Sequence, residues 1–384
     1  MMEQAEARLF DAVALRGTTL RNRTVVSPMC QYSATDGIAD DFHLVHLGRF
    51  ALGGFGLVMA EATSISPEGR LTYGDLGLWD DGQVAPLRRI VDVVHAAGAA
   101  FGVQLAHAGP KAATLPPWMA ESARPAHANW EIRSVTDEPY LDGWQRPVAL
   151  SRDDLDRQIE QWRAAALRAN AVGADVVELH MAHGYLLHAF LSPLSNTRSD
   201  EFGGSLEARM RFPLQVVDAV RTAWPDSKPL LVRVAAVDNG ADGIDIEQTV
   251  AFAARLRDAG VDVIDCSSGG YGGAYVHPIV PGYQVAWAAE LRARVGLPTV
   301  AVGLITDAEQ ADAIVRHGQA DLVALGREAL ADPNWPVHAR EQLAQYDGED
   351  RFDLHPLQSR SWLAKRQRQL DRSRATEQTR KGSQ

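Results

Sequence analysis

A (β/α)₈ barrel, an α/β architecture with a long excursion after its third strand, is the fold class this sequence predicts. Three observations carry that reading. Eight short apolar runs recur along the chain, stretches of helical periodicity separate most of them, and a unit of helix, glycine turn and β-rich run repeats at Gly173–Glu178, Gly260–Asp265 and Gly318–Ala324. Glycine ends a helix at little cost because it accepts a left-handed conformation. Eight strands alternating with helices suit a closed barrel, although the pattern alone leaves a three-layer α/β sheet open.

The eight expected strands lie near Thr24–Val26, Leu57–Met59, Ala100–Val103, Asp175–Glu178, Leu230–Val234, Val263–Asp265, Thr299–Val302 and Leu322–Leu325. Their lack of strict alternation suits strands covered on both faces. The clearest helix runs from Ser151 to Asn170. Ser151 and Asp154 form a capping-box pattern, and Leu155, Ile159, Trp162 and Ala166 share one face. Between the third and fourth strands, Ala108 to Ala174 is longer than any other connection and carries Pro116, Pro117, Trp118, Pro125, Trp130, Pro139 and Trp144. Long irregular loops of this kind are usually functional, and this one is expected to cross the barrel mouth. Residues 1–345 are read as the barrel domain. Residues 346–384 are read as a polar tail, with a helix over Leu354–Leu370 and an unstructured end.

Composition narrows the function. The chain has 384 residues, 46% hydrophobic and 23% charged, with a net charge of −11. That acidic balance argues against nucleic acid as a partner, since phosphate binding draws on Lys and Arg. Met1–Phe10 carries Glu3 and Glu6 and no apolar stretch of signal-peptide length. The longest charge-free apolar run, Phe50–Ala60, is too short to span a bilayer. A cytoplasmic chain with no membrane partner is expected. Cys30 and Cys266 are the only cysteines, too few for an iron–sulfur cluster.

Barrel enzymes place their chemistry at the C-terminal ends of the strands. Those positions hold Ser27-Pro28-Met29-Cys30-Gln31-Tyr32, Glu61-Ala62-Thr63, Gln104 with His107-Ala108-Gly109, His180 to Tyr185, Arg233, Ser267-Ser268-Gly269-Gly270, Gly303, and Gly326-Arg327. Gly303, Gly326 and Arg327 follow strands seven and eight, where barrels often hold a phosphate through backbone N–H groups and a helix N-terminus; a plain turn with a surface arginine is the alternative. His180 and His183 are three apart. Such a pair can polarise a substrate oxygen or sit satisfied in the structure. His107, Glu178, His188 and Asp238 complete no recognised metal motif, so no metal is expected. Tyr185 is either a proton donor or a core residue. Arg233 interrupts an apolar strand, where a charge is costly unless it is paired or meets something electron-rich. There is no G-x-G-x-x-G after a strand and no Walker A motif, so any nicotinamide would visit the site rather than occupy a dedicated fold.

These segments resemble the Old Yellow Enzyme family, in particular its bacterial thermophilic-like class. The matching residues run from about Leu9 to Leu343 and include Ser27–Tyr32, Gln104–Gly109, Glu178–His188, Phe190–Asn196, Arg198–Gly204, Asp265–Gly269, Ala301–Thr306 and Gly326–Glu328. The resemblance implies FMN at the barrel mouth. Ser27, Pro28, Met29 and Cys30 would lie along the flavin, with Cys30 tuning it, and Ala62 would line its pocket. Gln104 would bond the pyrimidine end, Arg233 would sit near N1 and O2, and Gly303, Gly326 and Arg327 would hold the phosphate. His180 and His183 would bind the oxygen of an enone or nitro substrate, Tyr32 would face that substrate, and Tyr185 would protonate its α-carbon. NADPH or NADH would be the transient reductant. The family association leaves a homodimer or homotetramer open. Pro110, followed by Lys111, stands where the family usually carries arginine, which implies a rearranged loop over Pro110–Pro147. The rival readings are a flavin-free barrel lyase or aldolase, for which no strand end offers a lysine, and a flavin barrel acting on aromatic acyl-CoA thioesters.

Overall fold

The computed structural model describes residues 7–119, 130–274, 277–346 and 351–382. Glu3, Glu6 and Pro125, noted above, lie outside them. Eight parallel strands close into a barrel: β1 Thr24–Val26, β2 Leu57–Ser64, β3 Ala100–Ala106, β4 Val176–Met181, β5 Leu230–Ala235, β6 Val263–Ser267, β7 Thr299–Ala301 and β8 Leu322–Leu325. Each pairs with the next in sequence, and β8 returns to β1 through Val323 opposite Thr24. The three-layer alternative is thereby removed.

All eight expected strands are present, several reaching further at their C-terminal ends than the apolar runs suggested. β2 continues five residues, through Ala60 to Ser64, beyond the expected Leu57–Met59. Its pairing with β3 slips between Ala60 and Ala62, so a bulge surrounds Glu61. Bulges beside functional sites re-aim side chains. Glu61 accepts the N–H of Gln31 at 2.8 Å, tying down the loop after β1.

Helices α1 Asp41–Leu52, α2 Val84–Ala96 and α3 Arg152–Ala171 follow the first three strands. α4 Leu186–Leu191 and α5 Leu206–Ala223 follow β4, and α6 Ile246–Asp258, α7 Val285–Val295 and α8 Ala308–Arg316 follow β5, β6 and β7. α9 Arg327–Ala331, α10 Trp335–Leu343 and α11 Leu357–Gly382 complete the chain. Ser151 caps α3 with Asp154 in a reciprocal box, as its sequence implies. α11 runs twelve residues past the expected end at Leu370.

Two cores result from strand alternation. Val26, Val58, Phe101, Val103, Val177, Leu179, Val232 and Val234 pack outward against helix residues such as Phe50, Ile90, Trp162 and Phe212. The other face of the strands builds an inner core from Val25, Leu57, Met59, Val176, Leu231, Val263, Val300 and Leu322. Leu15 and Leu20 join this inner core from a hairpin, Val13–Leu15 with Thr18–Leu20, that the sequence pattern did not single out. Because side chains alternate with period two, the inward face continues from Val176 to Glu178 and His180, from Leu231 to Arg233, and from Val263 to Asp265 and Ser267. The same face that is apolar at one end of the barrel becomes polar and charged at the other.

The excursion after β3 folds back over that polar end. Arg133–Ser134 pairs with Val148–Ala149, and Ala108, Ala112, Ala113 and Ile132 form a small cluster with Trp130 and Tyr185. Tyr140 donates its hydroxyl to the Gly270 carbonyl, pinning the excursion to the loop after β6.

Candidate active site

One cavity of about 470 Å³ opens at the C-terminal end of the strands. This lies in the usual range for small-molecule sites, about 300–1,000 Å³. β1 and its loop contribute Ser27, Pro28, Met29, Cys30 and Tyr32 to the lining, β2 and β3 contribute Ala62 and Gln104, and β4 with its loop contributes His180, His183 and Tyr185. Arg233 enters from β5, Gly303 from the loop after β7, and Gly326 with Arg327 from the end of β8. Every residue singled out for cofactor or substrate above therefore faces the same space.

Arg233 is 6% exposed. Its guanidinium donates to Ser27 Oγ at 3.3 Å and stands 3.5 Å from Asp265 Oδ2 through Nε. Nε makes no hydrogen bond, nor does Asp265 Oδ1. Gln104, also buried, donates from Nε2 to Glu178 Oε1 at 2.7 Å. Burial, reinforced by the neighbouring Asp265 carboxylate, pushes Glu178 well above the ordinary carboxylate range. Arg233 and Asp265 form an ion pair beside it.

His180 and His183 meet edge to face with ring centroids 5.0 Å apart, and Tyr185 lies 4.7 Å from His180. Burial first, and then the charge of Arg233, holds both histidines well below their ordinary pKa, so both are neutral. The Ala182 N–H reaches His180 Nδ1 at 3.3 Å. This leaves the His180 proton on Nε2, since a neutral imidazole has one donor and one acceptor. His183 Nε2 lies 2.7 Å from Ser267 Oγ. Tyr185 is held well above the usual phenol range, by burial first and then by Cys30, and stays protonated.

Backbone conformation is unusual at this rim. Tyr32, His183 and Leu304 have φ of 54°, 61° and 48°, a region that side-chain-bearing residues seldom occupy and that concentrates at functional sites. Gly303 has φ +124°, and a Cβ there would stand 2.9 Å from Tyr283 Cε1. A Cβ on Gly326 would find nothing nearer than 3.6 Å, in Met29.

Among the cavity residues that sequence reasoning left without a role are Ser267, Tyr283 and Gln284. Ser267 ends a strand and was named only as such. Tyr283 and Gln284 lie in the loop before α7, outside any motif, and only the fold brings them to the cavity. Lys111, noted as a departure, does not line the cavity but braces it. Its Nζ donates to the His183 carbonyl at 2.7 Å and lies 4.3 Å from the Tyr140 ring centroid. Burial lowers its pKa to about 8. Among the described residues no group of three or more His, Cys, Asp or Glu is placed to hold a metal ion, and no helix is long and apolar enough to cross a membrane.

Comparison with known proteins settles the lineage. Residues 8–346 match the model of the NADH:flavin oxidoreductase / NADH oxidase family. The chain belongs to that family. It is 42% identical over 337 residues to an NADPH dehydrogenase of Geobacillus thermodenitrificans, covering 87% of this chain and 94% of that protein. It is 41% identical over 341 residues to one of Bacillus subtilis, covering 88% and 95%. Among solved structures, morphinone reductase superposes with a TM-score of 0.75 at 26% identity, covering 89% of this chain and 91% of that one. The chain is thus an FMN-dependent oxidoreductase on a TIM barrel, which removes the flavin-free lyase reading.

The donor set fits FMN. Buried Arg233, whose Nε finds no hydrogen bond in its pairing with Asp265, and Gln104 line the cavity and offer polar groups to an electron-rich ring, and the open approach at Gly326 beside Arg327 suits a phosphate.

Proposed function

We propose that this enzyme reduces the C=C bond of α,β-unsaturated carbonyl or nitro compounds at the expense of NADPH or NADH. The observation that carries the reading is the edge-to-face pair His180 and His183 with Tyr185 against His180, facing a cavity shared with Arg233. FMN held in this cavity would supply the hydride-transfer chemistry between the nicotinamide and the substrate β-carbon.

The protein side of the reaction follows from the residues. His180 and His183 each present one N–H to the substrate oxygen. Preorganised donors of this kind are strongest where charge develops, here the enolate- or nitronate-like oxygen. Tyr185 Oη supplies the proton for the α-carbon, and its raised pKa keeps that proton available at neutral pH. Tyr32 contacts the substrate from the other wall.

On the cofactor side, Ser27, Pro28, Met29, Cys30 and Ala62 line the ring, with Cys30 tuning it. Gln104 bonds the pyrimidine end and Arg233 offsets the negative charge that reduction places near N1 and O2. Gly303, Gly326 and Arg327 hold the phosphate. In this reading residues 1–345 form the catalytic unit and residues 346–384 the tail. The names of the two bacterial relatives favour NADPH as the reductant.

The test is turnover under argon. Purified holoenzyme given NADPH and 2-cyclohexenone should form cyclohexanone in step with NADPH consumed. NADPH oxidised only after oxygen is admitted, with no cyclohexanone, overturns the proposal.

A further inference from the structure

Two histidines three residues apart differ in how their second nitrogen is held, and the difference reaches across the barrel. His180 is fixed locally, by the Ala182 N–H. His183 is fixed from β6, two strands away, by Ser267. Its backbone is braced by Lys111 at the carbonyl and adopts φ 61°, so the ring cannot easily seek another partner.

Ser267 has one hydroxyl proton and two polar neighbours within reach. His183 Nε2 is at 2.7 Å and Gln284 Oε1 at 3.4 Å. The first distance is usual for a hydroxyl donor and the second lies at the outer limit of a hydrogen bond. Gln284 Oε1 is already engaged by the Ser268 hydroxyl at 2.5 Å. Gln284 is held in that orientation because its Nε2 donates to the Val302 carbonyl at 3.1 Å. The shorter contact is the better placed to take the Ser267 proton.

We infer that Ser267 is a positioning residue that sets the tautomer of His183: its hydroxyl donates to Nε2, which places the ring proton on Nδ1 and makes Nδ1–H the donor offered to the cavity. Gln284 secures the arrangement by occupying Ser268 and leaving Ser267 free to face the histidine. The two members of the pair then present opposite nitrogens, Nε2 from His180 and Nδ1 from His183. That lets two rings at right angles, 87° between planes, converge on one oxygen. His183 stays neutral because the groups that face it, Arg233, His180, Lys111 and His188, add positive charge or none around a buried ring. Without the serine, nothing would oppose the Nε2–H form, and Nδ1 would turn an acceptor lone pair toward the substrate oxygen. This consequence rests on the reading of His183 as a substrate anchor; the tautomer assignment does not.

The experiment uses FMN-loaded enzyme with ¹⁵N-labelled histidine, the His183 resonances being assigned by their loss in His183→Gln. The unmodified enzyme should show the proton on Nδ1. Ser267→Ala should shift it toward Nε2 and weaken binding of p-hydroxybenzaldehyde about tenfold, the usual worth of one hydrogen bond. Ser267→Thr, which keeps the hydroxyl, should recover both. An Nε2–H signal in the unmodified enzyme overturns the inference without any variant having to fold, as does a tautomer indifferent to Ser267→Ala. A tautomer that shifts while phenol affinity stays constant removes His183 from the anchor and leaves the tautomer assignment standing.

Discussion

Arg233 and Asp265 stand in register on neighbouring strands, both on the inward face and both almost fully buried, with the guanidinium Nε 3.5 Å from the carboxylate. The pair is imperfect, since Nε and Asp265 Oδ1 lack hydrogen-bond partners. A buried cation held this loosely is costly unless something else draws on its charge. Replacement by methionine keeps the bulk and removes the charge. R233M should bind FMN more weakly and lower the potential of bound FMN by about 30–60 mV, the two-electron equivalent of one to two tenfold steps. Spectroelectrochemistry of the variant reads this directly.

Tyr185 packs with the excursion cluster, so Y185F removes a proton without removing the ring. Flavin reduction by NADPH should persist. Enone-driven reoxidation should slow by about 10²–10⁴, the usual contribution of a positioned acid. Stopped-flow measurement of the two half-reactions separates them.

His180→Ala removes one of the two oxygen-binding donors. Loss of one such donor typically costs about 10²–10³ in turnover. H180A should show that loss for enones while retaining its flavin absorbance. Steady-state kinetics under argon, with the spectrum recorded on the same sample, check both halves of the statement.

Lys111 predicts an alkaline limb. Burial lowers its pKa to about 8, so its charge is present below that pH and lost above it. With the charge go the strongest form of its bond to the His183 carbonyl and its attraction to the Tyr140 ring. Enone kcat/KM should fall as pH rises through about 8. Tyr185, held well above its usual range, contributes nothing to that limb. K111M should lower the plateau by about tenfold and abolish the limb, as a pH–rate profile would show.

Gly303→Ala places a methyl 2.9 Å from Tyr283 Cε1 at a φ that alanine seldom adopts. About 1–3 kcal/mol of strain follows. The variant should lose FMN on gel filtration and melt at a lower temperature than the parent.

Much of this was legible in the chain. Strands covered on both faces read as continuous apolar runs, and all eight were located that way. The runs stopped short at Met59 and Asp265 because the strands continue into Glu61, Thr63, Ser64 and Ser267. Of these, Ser267 lines the cavity and Glu61 ties down the loop after β1, so polar residues at the functional end of the barrel hid the strand ends. Arg233 stood out for the opposite reason, as one charge inside an apolar strand. The Val13–Leu20 hairpin was missed because two three-residue strands carry too little periodicity to register. Gln284 and Tyr283 were missed because no local pattern marks them; the turn after Gly282 swings them into a cavity built by other strands. Ser267 was in view, but its partner lies 84 residues away, and a contact of that separation leaves no trace in one sequence.

The most direct test of the central claim is a crystal structure of the enzyme soaked with FMN and p-hydroxybenzaldehyde. The phosphate should lie at Gly303, Gly326 and Arg327, the pyrimidine edge at Gln104 and Arg233, and the phenol oxygen between His180 and His183. FMN bound elsewhere, or a phenol oxygen out of reach of both histidines, would contradict the claim.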